Sequence, residues 1–317
     1  MNILVTGGAG FIGSNLVEQL VLAGENVLVI DDFSTGRTEF LAHLQSFTNL
    51  AISRADLRSM STLDSLMPGI DVVIHLAANA DVRWGWEHPR RDIEQNLLVT
   101  HNVLESMRQH KVRRLIFSST GSVYGNSTQV PSPEEVASSG QTSLYGASKL
   151  AAEAFISAYA EAGFIEATVF RFVSILGPRY SHGHVFDFVN QLLKDSSRLK
   201  VLGDGYQRKS YLHVSDCIQA IIRRLTTTTS FEVLNLGTSE YCTVRDSISW
   251  ITSEMSVAPY CTFTGGSRGW IGDNPFILLD TQQVLRTGWS PTKSIEQSVR
   301  ETTRWLLGND WVFEVRQ

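Results

Sequence analysis

Short apolar runs alternate with longer segments of helical periodicity in the first part of the chain. Residues 2–6 and 26–30 are largely apolar, and each run predicts a buried strand. Residues 11–24, between them, carry apolar side chains such as Leu16 and Leu20 at helical spacing and end at a glycine, which predicts a helix. A strand, a helix and a second strand in this order predict a βαβ unit with a right-handed crossover in a parallel sheet.

The same alternation continues to about residue 172. Further strands are predicted at residues 71–76, 114–118 and 167–172, and helices at about 92–109 and 146–162. Because the predicted strands are apolar on both faces, helices must cover both sides of the sheet. The pattern therefore predicts an α/β fold with a doubly wound parallel sheet.

After about residue 173 the pattern becomes irregular. Glycine and aromatic residues cluster at 177–186, 203–211 and 265–276, which predicts a smaller second part whose loops face the first. Residues 232–236 form a later apolar run that can return to the main sheet. We therefore expect the smaller part to be interwoven with the larger one.

The turn after the first predicted strand is rich in glycine. Gly7, Gly10 and Gly13 match the pattern G-x-x-G-x-x-G, and Gly8, Gly10 and Gly13 match G-x-G-x-x-G. Glycine allows a tight turn, a close approach of the backbone to a pyrophosphate and close packing of helix on strand. The N–H groups at the start of the following helix favour a phosphate there. The turn predicts a dinucleotide site in a sheet of the Rossmann type.

An acidic residue ends the second predicted strand. Asp31 lies 18 residues beyond Gly13, where such sheets carry a ribose-binding acid. A carboxylate accepts a hydrogen bond from the ribose 2′-hydroxyl and repels a 2′-phosphate, so Asp31 favours NAD over NADP. Arg37 lies nearby and weakens this preference slightly.

A tyrosine and a lysine are four residues apart in a predicted helix, so Tyr145 and Lys149 share one face. A tyrosine with its ordinary pKa of about 10 is a poor base at neutral pH, and a neighbouring ammonium is expected to lower that pKa. The pair then predicts a general base and acid for an alcohol or sugar hydroxyl. Ser118 and Thr120 end a predicted strand, where ligands of such sheets bind, and Thr120 can hydrogen-bond the same hydroxyl.

The composition is that of an ordinary globular protein and excludes several classes. The net charge of −5, without clustered basic residues, argues against a general nucleic-acid binder. Three scattered cysteines argue against a disulfide framework and a zinc site and favour a reducing compartment. Because no apolar run reaches the length of a membrane span and no basic leader precedes the first strand, we expect a cytoplasmic protein.

These motifs stand in the order found in the extended short-chain dehydrogenases/reductases, and the resemblance covers nearly the whole chain. The matching segments are the glycine turn, Asp31-Asp32, Asp56-Leu57, His75 to Ala78, Asn96, Ser118 to Tyr124, Tyr145 to Lys149, Gly177-Pro178-Arg179, Arg208 to Asp216 and Arg268 to Asp273. Among the NAD-dependent epimerases and dehydratases of this family, the sequence looks most like the UDP-glucose (galactose) 4-epimerases.

The resemblance implies a UDP-sugar substrate, a resident NAD and a 4-keto intermediate. It implies that Tyr145 takes the proton from the sugar O4, that Lys149 holds the nicotinamide ribose and that Thr120 polarises O4. The implied NAD-binding residues are Gly7, Gly10, Phe11, Ile12, Gly13, Asp31, Asp32, Asp56, Leu57, Leu76, Ala77, Ala78, Asn96, Ser118, Tyr145 and Lys149. The implied substrate-binding residues are Thr120, Ser174, Arg208, Arg268 and Asp273. No metal is implied.

The resemblance also implies a domain division and an assembly. An NAD-binding domain would comprise residues 1–172 and about 210–237, and a nucleotide-sugar-binding domain about 173–209 and 238–317. A homodimer would form through the two predicted helices at about 92–109 and 146–162.

Departures from the family pattern bear on the reaction and the sugar. Gly121 and Ser122 stand where many 4,6-dehydratases carry Asp-Glu, so dehydration is disfavoured, as is a related decarboxylase pattern with Glu at the second place. Ser174 stands where the family often has Asn, so the substrate is expected to be placed differently. Ile277 stands where a bulky Tyr restricts some epimerases, so N-acetylated sugars fit as well.

The sequence leaves other functions open. One is a nucleotide-sugar 4,6-dehydratase or another sugar-modifying member of the family. Another is a non-catalytic NAD-binding sensor, which the presence of both Tyr145 and Lys149 opposes. A reductase that releases NADP is opposed by Asp31.

Overall fold

A parallel sheet with helices on both faces is the centre of the computed structural model, which describes residues 1–79, 85–136, 140–269 and 276–314. The strands, in chain order, are β1 (Asn2–Thr6), β2 (Asn26–Asp31), β3 (Leu50–Arg54), β4 (Val72–His75), β5 (Arg114–Thr120), β6 (Glu166–Phe172), β7 (Ser174–Leu176), β8 (Arg198–Val201), β9 (Arg208–Lys209), β10 (Tyr211–His213), β11 (Phe231–Leu236), β12 (Cys242–Thr243) and β13 (Tyr260–Phe263). Seven of them form the main sheet in the order β3-β2-β1-β4-β5-β6-β11, with every described neighbour parallel. The predicted doubly wound sheet is confirmed.

The helices alternate with these strands. They are α1 (Phe11–Leu22), α2 (Met60–Leu66), α3 (Pro89–Asp92), α4 (Val99–His110), α5 (Leu144–Glu161), α6 (His184–Lys194), α7 (Val214–Ile222), α8 (Val244–Met255), α9 (Gln282–Arg286) and α10 (Ile295–Leu307). A π-helical segment, Ile93–Leu98, joins α3 to α4, and short 3₁₀ segments occur at Thr38–Phe40, Ala42–Leu44, Gly121–Tyr124 and Asp310–Phe313. None of the described helices is long and apolar enough to cross a membrane.

Two buried apolar clusters cover the two faces of the sheet. Along β1, Ile3 and Val5 belong to one cluster and Leu4 to the other, as the alternation of side chains along a strand requires. The first cluster includes side chains of α1 and α7, and the second includes those of α4 and α5. Burial on both faces explains why the central strands are apolar throughout.

The sequence does not predict β3 or α2. Leu50–Arg54 lies at one edge of the sheet, and none of its five residues is fully buried. An edge strand of this kind needs no continuous apolar run, so it leaves no clear signal in the sequence.

The part beyond β6 is more regular than the sequence predicts. Three two-stranded sheets pair β7 with β10, β8 with β13 and β9 with β12. Helices α6, α8 and α10 pack against one another, and both α8 and α10 begin with a capping box. The apolar run at 232–236 does return to the main sheet, as β11 beside β6.

Close backbone approach fixes the glycine turn after β1. Gly7 has φ +68°, and a Cβ at this position would lie 2.8 Å from the Cα of Ala77. A Cβ at Gly13 would lie 2.2 Å from the carbonyl oxygen of Gly7, closer than any real contact. The first turn of α1 therefore rests directly on the backbone that leaves β1, as the motif predicts.

Alanine at Gly13 tests this packing, with alanine at Gly10 as the matched control, because the nearest atom to a Cβ there is 3.3 Å away. We expect Gly13→Ala to lower the free energy of unfolding by about 2 kcal/mol or more through overpacking. Gly10→Ala should cost less than about 1 kcal/mol. Urea unfolding followed by circular dichroism measures both, and equal costs would contradict the proposed contact.

Candidate active site

A cavity of about 640 Å³ lies along the carboxyl ends of the central strands. It is lined by residues that end or follow β1, β2, β4 and β5, among them Gly7, Asp31, Leu76 and Ser118. Ligands of doubly wound sheets bind at this edge, where the strand order reverses between β1 and β4. The cavity continues to residues of the second part, including Lys209.

Most of the residues that the sequence singles out come together here. The predicted NAD-binding residues line the cavity with the exception of Asn96, and so do Thr120 and Ser174. Arg208 and Arg268 are exposed and are not among its lining residues. Asp273 lies outside the described residues.

Asp31 is held at the end of β2 with its carboxylate towards the glycine turn. It is buried, with 7% of its surface exposed, and it accepts hydrogen bonds from the backbone N–H of Ala9 (2.9 Å) and of Phe33 (2.8 Å). Burial raises its pKa, although both hydrogen bonds act against this. Each oxygen keeps a lone pair for a further donor, such as a ribose hydroxyl.

The side chain of Arg37 hydrogen-bonds to residues near the C-terminus and not to Asp31. Its guanidinium donates a hydrogen bond to the carbonyl oxygen of Val312 (2.8 Å) and lies 5.5 Å from the centroid of the Trp311 ring. These contacts tie it to the 3₁₀ segment near the C-terminus. Its nearness to Asp31 in the sequence therefore does not make it a partner for a 2′-phosphate.

Arg58 lines the same end of the cavity and is missed by the sequence reasoning. Its guanidinium pairs with Asp56, with Nη2 at 2.6 Å from Oδ2, and this pairing lowers the pKa of the Asp56 carboxyl. Both side chains are substantially exposed, so the pair contributes little to stability. Arg58 matters for the site because it lies beside Asp56, one of the implied NAD-binding residues.

Tyr145 lies in the first turn of α5 because Ser143 caps this helix. The hydroxyl of Ser143 accepts a hydrogen bond from the N–H of Gly146 (3.0 Å). Thr120 ends β5, and its side chain hydrogen-bonds to Tyr145. The three predicted catalytic side chains, Tyr145, Thr120 and Lys149, thus line one stretch of the cavity.

Lys149 lies one turn further along α5 and is 2% exposed. Its ammonium donates a hydrogen bond to the carbonyl oxygen of Ser118 (2.8 Å) and lies 4.6 Å from the centroid of the Phe117 ring. Burial lowers the pKa of Lys149 to about 7, although Glu153 acts to raise it. Lys149 therefore changes its charge near neutral pH.

The expectation that Lys149 lowers the pKa of Tyr145 is not met. Burial raises the pKa of Tyr145 to about 12, and the hydrogen bond with Thr120 only partly offsets this. Asp92 acts in the same direction as burial, because its negative charge disfavours the phenolate. The chain alone keeps Tyr145 as a phenol.

Asn96 does not line the cavity but hydrogen-bonds to residues around it. It lies in the π-helical segment, and its side-chain amide donates to the hydroxyl of Ser148 in α5 (2.9 Å) while its oxygen accepts from the N–H of Asn79 (2.8 Å). Asn79 is a lining residue. The π-helical turn therefore connects one wall of the cavity to the helix of Tyr145 and Lys149.

In β9, consecutive basic residues face opposite ways. The guanidinium of Arg208 lies 3.9 Å from the centroid of the Phe276 ring, whereas Lys209 lines the cavity together with Ser210. Side chains alternate along a strand, so Arg208 and Lys209, the two residues of β9, point to opposite sides. Ser210 follows the strand and also lines the cavity. The hydroxyl of Ser210 is buried without a described partner. Sequence reasoning missed Lys209 and Ser210. The alternation along β9 marks Lys209 as the alternative to Arg208, but no sequence signal marks Ser210.

The residues present fit a dinucleotide. The glycine turn offers bare backbone against which a Cβ at Gly7 or Gly13 would clash, and α1 directs its first N–H groups to the same place. Asp31 supplies an acceptor for ribose hydroxyls, and Lys149 supplies a donor at the other end. Among the described residues, no group of three or more His, Cys, Asp or Glu side chains is placed to hold a metal ion.

Comparison with known proteins agrees with this site. The model of the NAD dependent epimerase/dehydratase family matches residues 3–237. A putative UDP-glucose 4-epimerase of Methanocaldococcus jannaschii is 29% identical over 313 residues, which cover 97% of this chain and 99% of that protein. A UDP-N-acetyl-alpha-D-glucosaminuronate decarboxylase of Bacillus cytotoxicus is 29% identical over 314 residues, which cover 96% of this chain and 97% of that protein.

One solved structure has about the same sequence identity to this chain as these relatives. The crystal structure of the Thermus thermophilus UDP-glucose 4-epimerase in complex with NAD superposes with a TM-score of 0.86 at 30% identity, covering 97% of this chain and 99% of that chain. Relatives named for different reactions thus stand at similar identity to this chain. The chain belongs to the NAD-dependent epimerase/dehydratase family.

Proposed function

We propose that the protein interconverts the C4 epimers of a UDP-sugar, either UDP-glucose and UDP-galactose or their N-acetylated forms, and keeps NAD as a resident cofactor. The observation that carries the proposal is the assembly of Thr120, Tyr145 and Lys149 along one cavity without an acid directly after Thr120. Ser122 lines the cavity there, and its N–H donates to the hydroxyl of Thr120 (3.1 Å). Neither Gly121 nor Ser122 can act as the acid or base that dehydration requires.

In this reaction Tyr145 removes the proton from the sugar O4 and later returns it. Thr120 hydrogen-bonds both Tyr145 and O4, so that the two oxygens meet at hydrogen-bond distance. Lys149 in its charged form holds the ribose beside the nicotinamide. Bound NAD would supply the hydride acceptor at C4 and a positive ring that favours the phenolate of Tyr145.

Residues of the second part are proposed to hold the nucleotide. Lys209, Ser210 and His182 line the cavity where it enters this part, and an ammonium beside a hydroxyl suits the oxygens of a diphosphate. Lys209 and His182 belong to the proposed nucleotide-sugar-binding part, about 173–209 and 238–317. Ser210 lies at its boundary with the proposed NAD-binding part, 1–172 and about 210–237.

Ile277 supports a pocket that accepts the larger sugars. It lines the cavity, and its Cγ2 would lie 2.9 Å from a Cβ at Gly121, so the two residues form one wall of the site. A branched aliphatic side chain leaves more room than a tyrosine at this place. We therefore include N-acetylated UDP-hexoses among the substrates.

A homodimer is proposed through the helices α4 and α5 and the π-helical segment before α4. Three large apolar side chains, Ile93, Leu98 and Phe155, are 43–52% exposed on these elements. A second copy of the chain would cover them, as in a four-helix interface. Light scattering should give about twice the 35.2 kDa mass of the chain, and the monomer mass would overturn the proposal.

Incubation of the protein with UDP-glucose, UDP-galactose and their N-acetylated forms tests the reaction directly. We expect at least one pair to interconvert without added cofactor, as followed by proton NMR of the sugar signals. Tyr145→Phe should lower kcat by about 10²- to 10⁴-fold with little loss of NAD, because it removes the proton carrier and leaves the cofactor contacts. A deoxy-keto product, or no product with NAD bound, would contradict the assignment.

Paired variants test the direction of β9. Because Lys209 lines the cavity and the guanidinium of Arg208 lies over the Phe276 ring, Lys209→Ala should raise KM for the UDP-sugar about tenfold or more. Arg208→Ala is the matched control and should change KM less than about threefold. Steady-state kinetics measures KM for both variants. A larger increase in KM for Arg208→Ala than for Lys209→Ala would show that Arg208 receives the diphosphate.

A further inference from the structure

A buried ion pair lies directly behind the predicted catalytic residues. Glu153 in α5 and Arg171 in β6 approach to 2.7 Å (Oε2 to Nη2), and their side chains are 6% and 10% exposed. The Nε of Arg171 lies 3.1 Å from the other carboxylate oxygen, so the contact is bidentate. Ser119, the neighbour of Thr120 in β5, also donates its hydroxyl proton to Glu153.

The pair belongs to a network that crosses the sheet. Arg171 donates to the hydroxyl of Tyr124 (2.9 Å), which in turn donates to the side-chain oxygen of Asn235 in β11 (2.6 Å). The amide of Asn235 donates to the carbonyl oxygen of Asp280 (3.0 Å), in the segment that carries Ile277. One wall of the cavity is thereby tied to the helix that carries Tyr145 and Lys149.

Glu153 also lies one helical turn beyond Lys149, on the same face of α5. Among the described charged groups, Glu153 is the one whose charge raises the pKa of Lys149. His75 of β4 also interacts electrostatically with the ammonium, and Tyr145, one turn earlier on the same helix, stays a phenol. His75 is fully buried, and its pKa is lowered to about 3, so it is neutral and carries no charge towards Lys149.

We propose that Glu153 is a positioning residue of the reaction, which acts through its negative charge on Lys149 and through its hold on β5 at Ser119. The proposal rests on the proposed function for its kinetic consequence only. A purely structural ion pair would contribute to folding and leave the protonation of Lys149 unchanged. The two roles therefore differ in a measurable way.

Three variants separate these roles. Glu153→Gln removes the charge and keeps the hydrogen-bond acceptor for Ser119, but it leaves Arg171 as an unpaired buried cation. The double variant Glu153→Gln/Arg171→Gln removes both charges and remains measurable if the single variant does not fold. Glu232→Gln is the matched control, because Glu232 pairs with Arg224 at 3.1 Å and accepts a hydrogen bond from Thr168, also in β6.

The direct readout is the pKa of Lys149 in the intact protein. The chain has six lysines, so a titration with lysine labelled with carbon-13 at Cε gives few signals, and the Lys149→Met spectrum assigns the one of interest. Loss of the nearby anion disfavours the ammonium, so we expect the pKa of Lys149 to fall by about one pH unit or more in both Glu153 variants. It should stay unchanged in Glu232→Gln.

The kinetic readout is the alkaline limb of the pH profile of kcat/KM. Since the charged form of Lys149 is required, a fall of its pKa by one pH unit lowers kcat/KM about tenfold at pH values above that pKa. Glu232→Gln should lose stability and keep the profile.

Several outcomes would overturn the proposal. An unchanged pKa of Lys149 in Glu153→Gln does so, and so does a return to the wild-type value in the double variant, which would trace the effect to the unpaired arginine. A shifted pKa with an unchanged pH profile would show that the charge plays no part in turnover. If the wild-type protein fails to interconvert any UDP-sugar, the proposed function fails, while the titration still decides whether Glu153 controls Lys149.

Discussion

The burial of one ammonium group is the constraint on which the site depends. The role proposed for Lys149, holding a ribose, places its ammonium in the wall of the cavity, where removing its charge from water is costly. The carbonyl oxygen of Ser118, the face of Phe117 and the carboxylate of Glu153 offset this cost in part. Its pKa of about 7 shows that the balance is close, so small changes around Lys149 decide whether it carries a charge at neutral pH.

Much of the fold follows from the sequence, because the central strands are buried on both faces and the glycine turn permits one packing of α1. Apolar runs in the sequence predict both the first strand, Asn2–Thr6, and the return of residues 232–236 to the sheet. The edge strand Leu50–Arg54 is not, since its partly exposed residues carry no such run. The sequence does not predict the helices of the second part, because glycine-rich and aromatic loops separate their short apolar faces.

The sequence predicts the site well where a motif fixes the backbone. It predicts the site less well where the orientation of a single side chain decides which residue lines the cavity. Tyr145, Lys149 and Thr120 meet because helix and strand geometry bring them to one edge of the sheet. A one-residue difference decides whether Arg208 or Lys209 faces the cavity, and pattern matching does not resolve this. The pKa of Tyr145 was expected to fall, but burial is a property of the folded chain that motif spacing does not reveal.

In the proposed reaction one carbon of the sugar gives up a hydride and receives it again within the same cavity. The most direct test uses UDP-glucose carrying deuterium at C4, incubated with the protein in ordinary water without added cofactor. We expect UDP-galactose, or the matching N-acetylated product from the N-acetylated substrate, with the deuterium still at C4. Loss of the deuterium to solvent, or its appearance at another carbon of the sugar, would contradict the proposed reaction.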